Sequence, residues 1–543
     1  MEDSHDILIK DFNGINIVRR NGNTNNKHAI PSIKPTNVEG HYPRFLLHGA
    51  VNLLHEDLRE LSIILESFVP YLNKIGIQLK DTPPLIKEII TGTEIFRRLK
   101  GISQVELLPF AFKQVPWFTR YTHSCLTYVF GDYVVDKLQS KLNLKHNDNL
   151  IEAIKLCFLI HDLGHGPFSH LTERAFKKPR GKGGKIPKEY DHEYWTKILL
   201  HELRDTLFDT NNNPYWTKHT SKQDKDSIEI LTKAMEITSK EDSSIFSQLL
   251  SSQIDLDRLS NYLGDRLVVN AILEEVDVKN EKMVGYLSSL NDVVDNIKRI
   301  MNNFLILDKD ESNNQCEPYL AIHEDAVNPI IHYLLDRHII RYYLLKHYRR
   351  EAANNLLEKV LLRAQTLVRN NQLDSLGKTD LLVQTWLFGN HTDAEFIELD
   401  DQLVFNQIRK WGKYTNDPVL RDLTLRFTAH NFFCAYSCEQ NGKPSKPNKE
   451  HIEEAKEKVI KEIKAKSSLK LDDSLIGEYY FTYDETTSKP YHVDKNEIMI
   501  YTSDKKIKKL SKHIKDTDNE IGKVLLESSF ERYLFIMPCE VSL

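Results

Sequence analysis

The densest chemistry in the chain lies in one run, Leu159-Ile160-His161-Asp162-Leu163-Gly164-His165-Gly166-Pro167-Phe168-Ser169-His170, which puts three His and one Asp within ten residues. His161 and Asp162 follow an apolar stretch, LCFLI, that reads as the end of a helix. Adjacent helical residues point about 100° apart, so both grip one ion only near a helix end, with further ligands arriving from elsewhere. Gly164 and Gly166 are expected to let the chain turn tightly. Pro167 is expected in the first turn of the next helix, which would carry His170 and Glu173 three apart on one face. A lone His reads as a core or surface residue. His-Asp after an apolar helix, with two more His around a Gly-Gly-Pro turn, is hard to explain as packing. Imidazole and carboxylate together suit a divalent ion: Fe, Mn or Zn, or Mg if waters complete its shell. Two further ligand sources stand out. One is His123 in Arg120-Tyr121-Thr122-His123-Ser124, which opens a helix; the other is Asp255 or Asp257 in Gln253-Ile254-Asp255-Leu256-Asp257-Arg258-Leu259. Alone, each would read as structural, the His as a helix-start residue and the aspartates as caps.

These residues need helices to hold them. Apolar residues recur at three and four from about residue 51 to 65, and again over 84–104, 123–143 and 150–163. The pattern resumes over 191–206, 224–238, 243–263 and 283–305, and a long helix is expected over 326–369. Residues 1–45 read as a loop or arm, and 440–452 as a linker. After a charged helix at 450–466 the period changes to two: 478–484, 497–502 and 532–538 read as strands. The fold expected is mainly α, a helical core with a small C-terminal α/β lobe. Its expected divisions are an N-terminal arm and helical region over 1–83, the core over 84–440 and the lobe over 441–543.

The chain has 543 residues, with 73 Lys plus Arg against 78 Asp plus Glu, a formal net charge of −5. That balance argues against a dedicated nucleic-acid coat. The basic segments 177–188 and 503–513 read first as solvated charge and second as contacts for a polyanion such as nucleic acid. The 21 Gly and 19 Pro are too few for a collagen-like or low-complexity chain. Six scattered Cys do not make a disulfide scaffold, and Cys434 and Cys438 lack the second pair of a zinc knuckle. No run reaches 18 apolar residues, so a reduced, cytoplasmic, non-membrane protein is expected.

The motifs resemble those of the HD-domain deoxynucleoside triphosphate triphosphohydrolases, both the bacterial enzymes and the HD core of the animal enzyme that adds a sterile-alpha-motif domain. The pattern His…His-Asp…Asp is the superfamily's metal set, and the longer HDLGHGPFSH is specific to this branch. The likeness runs from about residue 84 through PPLIKEIITGTEIFRRLKGISQ, RYTHS, DHEYW and QIDLDRLSNYLGD to the closing strands. It implies an HD-type helical core, a homo-oligomer, a divalent ion, and hydrolysis of (deoxy)nucleoside triphosphates to nucleoside and inorganic triphosphate by metal-activated water at the α-phosphate. The implied metal ligands are His123, His161, Asp162 and Asp257. The implied catalytic residues are His165, His170 and His192 around the α-phosphate, with His170 as general acid and Glu173 orienting it. Arg120 and Arg258 would contact phosphate, while Gln104 and Asp265 would hold the sugar 3′-hydroxyl. Val105 falls where a bulkier Leu screens the 2′ position, and Tyr262 lies one place after the family's sugar-stacking Tyr; both departures imply softer discrimination against ribose. A regulatory nucleotide is a further ligand in activated members, whose Asp, Gln and Arg are here Gly92, Arg97 and Lys100. The competing readings are a phosphohydrolase of another nucleotide, such as a monophosphate or ribonucleotide, and an inactive nucleotide-binding regulator.

Overall fold

A computed structural model describes residues 7–12, 15–19, 60–112, 115–139, 148–177, 185–208, 222–238, 245–275, 287–307, 319–441, 443–466, 471–493 and 497–541. The chain is mainly α, with two small sheets and a C-terminal α/β region.

Five helices carry the motif residues: Arg120–Leu138, Asp148–Ile160, His170–Phe176, His192–Phe208 and Leu256–Glu275. The Arg120 helix starts where the Thr119 side chain accepts from the Thr122 N–H at 3.2 Å, an N-cap that stands four residues before His123. It is buried on nearly all sides. At Gly131 it meets the Asp148 helix so closely that a Cβ would lie 2.2 Å from the Phe158 ring. Gly131 therefore sets the spacing between the helix carrying His123 and the one that delivers His161 and Asp162.

Among the described residues lie ten strands: β1 Ile7–Phe12, β2 Ile15–Arg19, β3 Phe304–Leu307, β4 Tyr319–His323, β5 Cys434–Gln440, β6 Lys443–Pro444, β7 Thr482–Ser488, β8 Met499–Tyr501, β9 Ile507–Lys509 and β10 Phe530–Met537. One sheet runs β1-β2-β5-β10-β7, with β6 paired to β5; the other runs β3-β4-β8-β9. The β1–β2 hairpin pairs with β5 through Asn16–Arg19 against Tyr436–Glu439, so the described part of the expected N-terminal arm is sheet rather than loop.

Other elements differ from expectation. The single helix expected over 326–369 is three pieces: Val327–Ile339, a π-helical turn at Ile340–Leu345, and Tyr348–Arg369. The break at Lys346–His347 gives the second helix its own cap, the His347 ring accepting from the Arg349 N–H at 3.2 Å. The helix expected over 243–263 is two, Ile245–Leu250 and Leu256–Glu275, separated by the Ser251–Asp255 loop. Residues 84–104 form short α, π and 3₁₀ turns instead of one helix. Of the strand expected over 478–484, the first residues end a helix at Tyr479 and the strand runs Thr482–Ser488. Cys434 and Cys539 form a disulfide, which corrects the all-reduced reading; Cys125, Cys157 and Cys438 are free and buried. Among the described residues no helix is long and apolar enough to cross a membrane.

The basic segment 503–513 is internally paired. Lys506 lies 2.7 Å from Asp504, Lys508 2.8 Å from Asp516, and Lys509 3.1 Å from Glu497. That pattern is solvated charge. Most of the other basic segment, residues 178–184, lies outside the described residues.

Candidate metal centre and histidine cluster

His161 and Asp162 sit just past the last turn of the Asp148–Ile160 helix, where the chain is free to aim both at one point. His161 Nδ1 lies 3.0 Å from the Phe158 carbonyl. A carbonyl only accepts, so Nδ1 donates to it, and Nε2 is the position left for a second proton or an ion. His123 Nδ1 lies 3.3 Å from the Ser260 hydroxyl, which also meets the Thr127 hydroxyl at 2.7 Å and the Asp257 carbonyl at 2.8 Å. Both Nε2 atoms are buried without a hydrogen-bond partner.

Those two Nε2 atoms face two carboxylates. His123 Nε2 is 2.9 Å from Asp257 Oδ1 and 3.7 Å from Asp162 Oδ2. His161 Nε2 is 3.5 Å from Asp257 Oδ1 and 3.6 Å from Asp162 Oδ1. Ligand bonds near 2.1 Å place neighbouring ligand atoms about 3.0 Å apart in an octahedron and about 3.4 Å apart in a tetrahedron. His123, His161 and Asp257 each offer a ligand atom within 4.8 Å of the others, a grouping that could hold one divalent ion; Asp162 borders it, turning Oδ2 to His123 and to Arg120 and Oδ1 to His161. The charges point the same way. Burial pushes the His161 imidazole down, but Asp162 and Asp257 outweigh it and hold its pKa at about 9. Burial likewise pushes Asp257 up, and His123 and His161 hold it well below the carboxylate range. The pocket demands positive charge, supplied by protons when no ion is there.

The structure also separates the two candidate aspartates. Asp255 accepts from the Ser252 N–H at 2.8 Å and the Arg258 N–H at 2.7 Å, capping the Leu256–Glu275 helix, while Asp257 faces the histidines. Burial and the neighbouring Asp257 charge raise Asp255 to about 7.

Beside the metal set lies a second cluster, His165, His170, Glu173 and His192. Glu173 spans two rings: its Oε2 is 2.9 Å from His170 Nδ1 and its Oε1 is 2.6 Å from His192 Nδ1. With Nδ1 of each ring committed to Glu173, Nε2 of each is left to face a ligand. Burial lowers the His192 pKa, but Glu173 raises it further. His165 is driven well below its usual value by burial, Arg120 and His192. Arg98 grips the His165 carbonyl through both terminal nitrogens at 2.8 and 2.6 Å. The His165 and His192 rings stack at 4.3 Å and 6°. Parallel rings send their lone pairs side by side, not to a shared point, so the group suits proton transfer and anion contact better than a second ion.

The turn between these clusters differs from expectation. Gly164 and Gly166 do not take left-handed angles; Phe168 (φ 58°) and Ser169 (φ 53°) do. Pro167 lies in the turn, before the helix begins at His170. Gly164 is needed for closeness instead: a Cβ there would lie 2.1 Å from the His192 carbonyl. The Gly164 N–H donates to Thr196 at 3.0 Å, joining this turn to the His192 helix.

The remaining predicted contacts divide. Arg120 reaches Asp162 at 2.5 Å through Nη1 and Ser169 at 2.9 Å through Nε, linking both clusters. Asp257, Asn261 and Asp265 lie on one face of their helix at steps of four. Asn261 donates to Asp257 Oδ1 at 3.1 Å and accepts from Gln104 Nε2 at 2.8 Å, leaving Gln104 Oε1 a buried acceptor without a partner. Val105 is buried beside Gln104. Burial raises Asp265 to about 7, against the pull of Arg341, Arg337, Arg350 and Arg120. Two expected contacts point elsewhere. Arg258 turns back to the Ser252 carbonyl and to Asp255. Tyr262 is 1% exposed, its hydroxyl bonded to Asp336 and its ring against Tyr333, so it is core rather than a sugar platform. Residues not expected at the site are Asn261, Arg98, Arg341 and Arg337. The last two stand in the basic stretch of the 326–369 region, and the i+4, i+8 ladder from Asp257 carried the signal for Asn261.

No protein-family model matches the chain. It is 24% identical to the uncharacterised protein YwfO of Bacillus subtilis over 349 residues, 64% of this chain and 67% of that one. It is 23% identical to the uncharacterised protein MG461 of Mycoplasma genitalium over 82% of this chain and 92% of the relative. A shorter match, 32% over 128 residues and 23% of each chain, is to the deoxynucleoside triphosphate triphosphohydrolase SAMHD1 homolog of Dictyostelium discoideum. Among solved structures, a phosphohydrolase from Bacteroides thetaiotaomicron superposes with a TM-score of 0.61 at 20% identity, over 84% of this chain and 96% of that one. The chain therefore has the fold of that phosphohydrolase.

Proposed function

We propose that the chain is a metal-dependent phosphohydrolase that cleaves (deoxy)nucleoside triphosphates to nucleoside and inorganic triphosphate, by attack of water at the α-phosphorus. The observation that carries this reading is the pair of buried, partnerless Nε2 atoms of His123 and His161 facing Asp162 and Asp257, next to imidazoles bridged by Glu173. The fold shared with a phosphohydrolase and the partial likeness to a triphosphohydrolase support it.

A divalent ion held by His123, His161, Asp162 and Asp257 would neutralise phosphate charge and lower the pKa of water. The protein's own groups account for the rest. Arg120, fixed between Asp162 and Ser169, supplies a positive charge whose position does not change when charge develops on the phosphoryl oxygens. Water oxygen bonds to the α-phosphorus as the bond from phosphorus to the 5′-oxygen breaks, and one water proton leaves to solvent, from which His170 is reprotonated after each turnover. His170, half exposed and held through Nδ1 by Glu173, gives its Nε2 proton to that leaving oxygen. His165, kept neutral, and His192, kept charged longer by Glu173, flank the same space. Gln104 Oε1 offers an acceptor to a sugar hydroxyl. The test is incubation of metal-loaded protein with each of the eight common NTPs and dNTPs, with the inorganic product identified. Triphosphate is expected. Pyrophosphate or phosphate would move the reaction to another phosphorus, and no product from any of them would leave the inactive-regulator reading.

A further inference from the structure

The strained pair Phe168–Ser169 stands directly before His170, and something must hold it. Non-glycine residues at positive φ cost about 1–3 kcal/mol each and persist where surrounding contacts over-determine them. Asp401 supplies the contacts. It is 0% exposed and opens the Asp401–Tyr414 helix, but it is not that helix's cap: Asp400 accepts from the Leu403 N–H at 2.7 Å and does that work. The Asp401 carboxylate is thus free to reach across. Its Oδ1 accepts from the Phe168 N–H at 2.5 Å and its Oδ2 from the Ser103 N–H at 3.0 Å. From the other side Ser169 closes the same knot: its hydroxyl donates to the Ser103 carbonyl at 2.7 Å and accepts from Arg120 Nε at 2.9 Å. Ser103 in turn bridges to Thr119, and the Arg120 N–H donates to the Ile102 carbonyl at 3.0 Å. One helical turn beyond Asp401, Phe405 packs edge-on against the Phe168 ring at 4.9 Å.

We propose that Asp401 is a positioning residue for the site: its buried carboxylate ties the Ser103 segment to the Phe168–Ser169 turn and so sets the directions of Arg120 and His170. The inference rests on the phosphohydrolase reading above and adds to it an anchor remote in sequence from every motif residue. Both Asp401 oxygens are taken by backbone N–H groups, those of Phe168 and Ser103. A second carboxylate oxygen is essential to the role. In Asp401→Asn one acceptor becomes an NH₂ that opposes a backbone N–H, so one of the two segments is released while size is kept.

The test compares wild type with Asp401→Asn, Ser169→Ala, the double variant, and Asp380→Ala. The last removes the cap of another helix, where Asp380 accepts from the Leu382 N–H at 3.0 Å while its own N–H stays bonded to Gln407, and controls for general destabilisation. Misplacement of a catalytic group by about 1 Å costs about 100-fold. Asp401→Asn is therefore expected to lower kcat by about 10- to 100-fold, with KM and bound metal unchanged and with faster amide exchange in peptides spanning 102–106 and 166–170. Ser169→Ala should lose kcat similarly, and the double variant should lose little more than either, because both act on one turn. Asp380→Ala should keep wild-type kcat per folded molecule. Wild-type kcat in Asp401→Asn despite faster exchange at 166–170 would overturn the proposal, as would losses that follow only the unfolded fraction in Asp401→Asn and Asp380→Ala alike. If wild type turns over no nucleotide, the functional reading falls by itself; the ring resonances of ¹³C-labelled His170 then decide the positioning role, a shift in Asp401→Asn supporting it and an unchanged resonance overturning it.

Discussion

Removing the divalent ion and titrating it back should expose a proton on His161. Its Nδ1 hydrogen is committed to the Phe158 carbonyl, so the titrating proton sits on Nε2, the lone pair an ion needs. Burial opposes that proton, but Asp162 and Asp257, at 3.6 and 3.5 Å, hold the pKa at about 9. Each ion bound below that pH must displace it. Between pH 9 and pH 7 the penalty is about two pKa units, or about 2.7 kcal/mol, an affinity about 100-fold weaker at pH 7. The assay is Mn²⁺ binding by chelator competition from pH 6 to 10, with proton release read by calorimetry in two buffers of different ionisation heat. Affinity should rise about tenfold per pH unit and flatten above about pH 9, with about one proton released per ion at pH 7. An affinity flat from pH 7 to 9, with no proton released, would refute the charge reasoning. Stability of the ion-free protein carries the same sign. The His161 pKa is raised on folding from about 6.5, so its contribution is fully present below about pH 6.5 and is lost as pH rises through about 9.

Four further outcomes follow from the geometry. His161→Ala combined with Asp162→Ala should leave the fold intact by circular dichroism yet remove the ion and all turnover; full metal occupancy by elemental analysis would contradict the ligand set. His170→Ala should cut kcat by about 10²- to 10⁴-fold with KM little changed. Glu173→Gln should cost less, and because the carboxylate raises the His192 pKa, its loss should move the NMR titration of His192 to lower pH; an unmoved His192 titration would make Glu173 a purely structural bridge. With Asn261 at the metal face and Tyr262 in the core, discrimination between dGTP and GTP in kcat/KM should stay within the about 1–3 kcal/mol of one steric contact, and a ratio above about 10⁴ would mean that another group screens the 2′-hydroxyl.

What was legible in the sequence was local. His161-Asp162 after an apolar helix and His170 with Glu173 three later are short-range patterns, and the helix period carries them directly. Asp257 over Asp255 was open on spacing alone; the distinction lies in which carboxylate the helix start consumes as a cap. Glycines suggested where the turn bends, but the strain falls on Phe168 and Ser169 because Asp401, 233 residues away from Phe168, holds it there. Nothing in local periodicity reports such a partner. Tyr262 looked available because only its tie to Asp336, 74 residues on, takes it into the core. The π turn at Ile340–Leu345 keeps helical spacing in sequence, which hides the break between Val327–Ile339 and Tyr348–Arg369. The β1–β2 hairpin has its partner in β5, over 400 residues later, so it read as an arm.

Hydrolysis in ¹⁸O-labelled water tests the central claim most directly. Metal-loaded protein is incubated with a deoxynucleoside triphosphate until turnover is complete, and both products are weighed by mass spectrometry. Attack at the α-phosphorus with departure of the 5′-oxygen predicts one ¹⁸O in inorganic triphosphate and none in the nucleoside. Label in the nucleoside, or label in phosphate or pyrophosphate with a nucleotide left behind, would contradict the account.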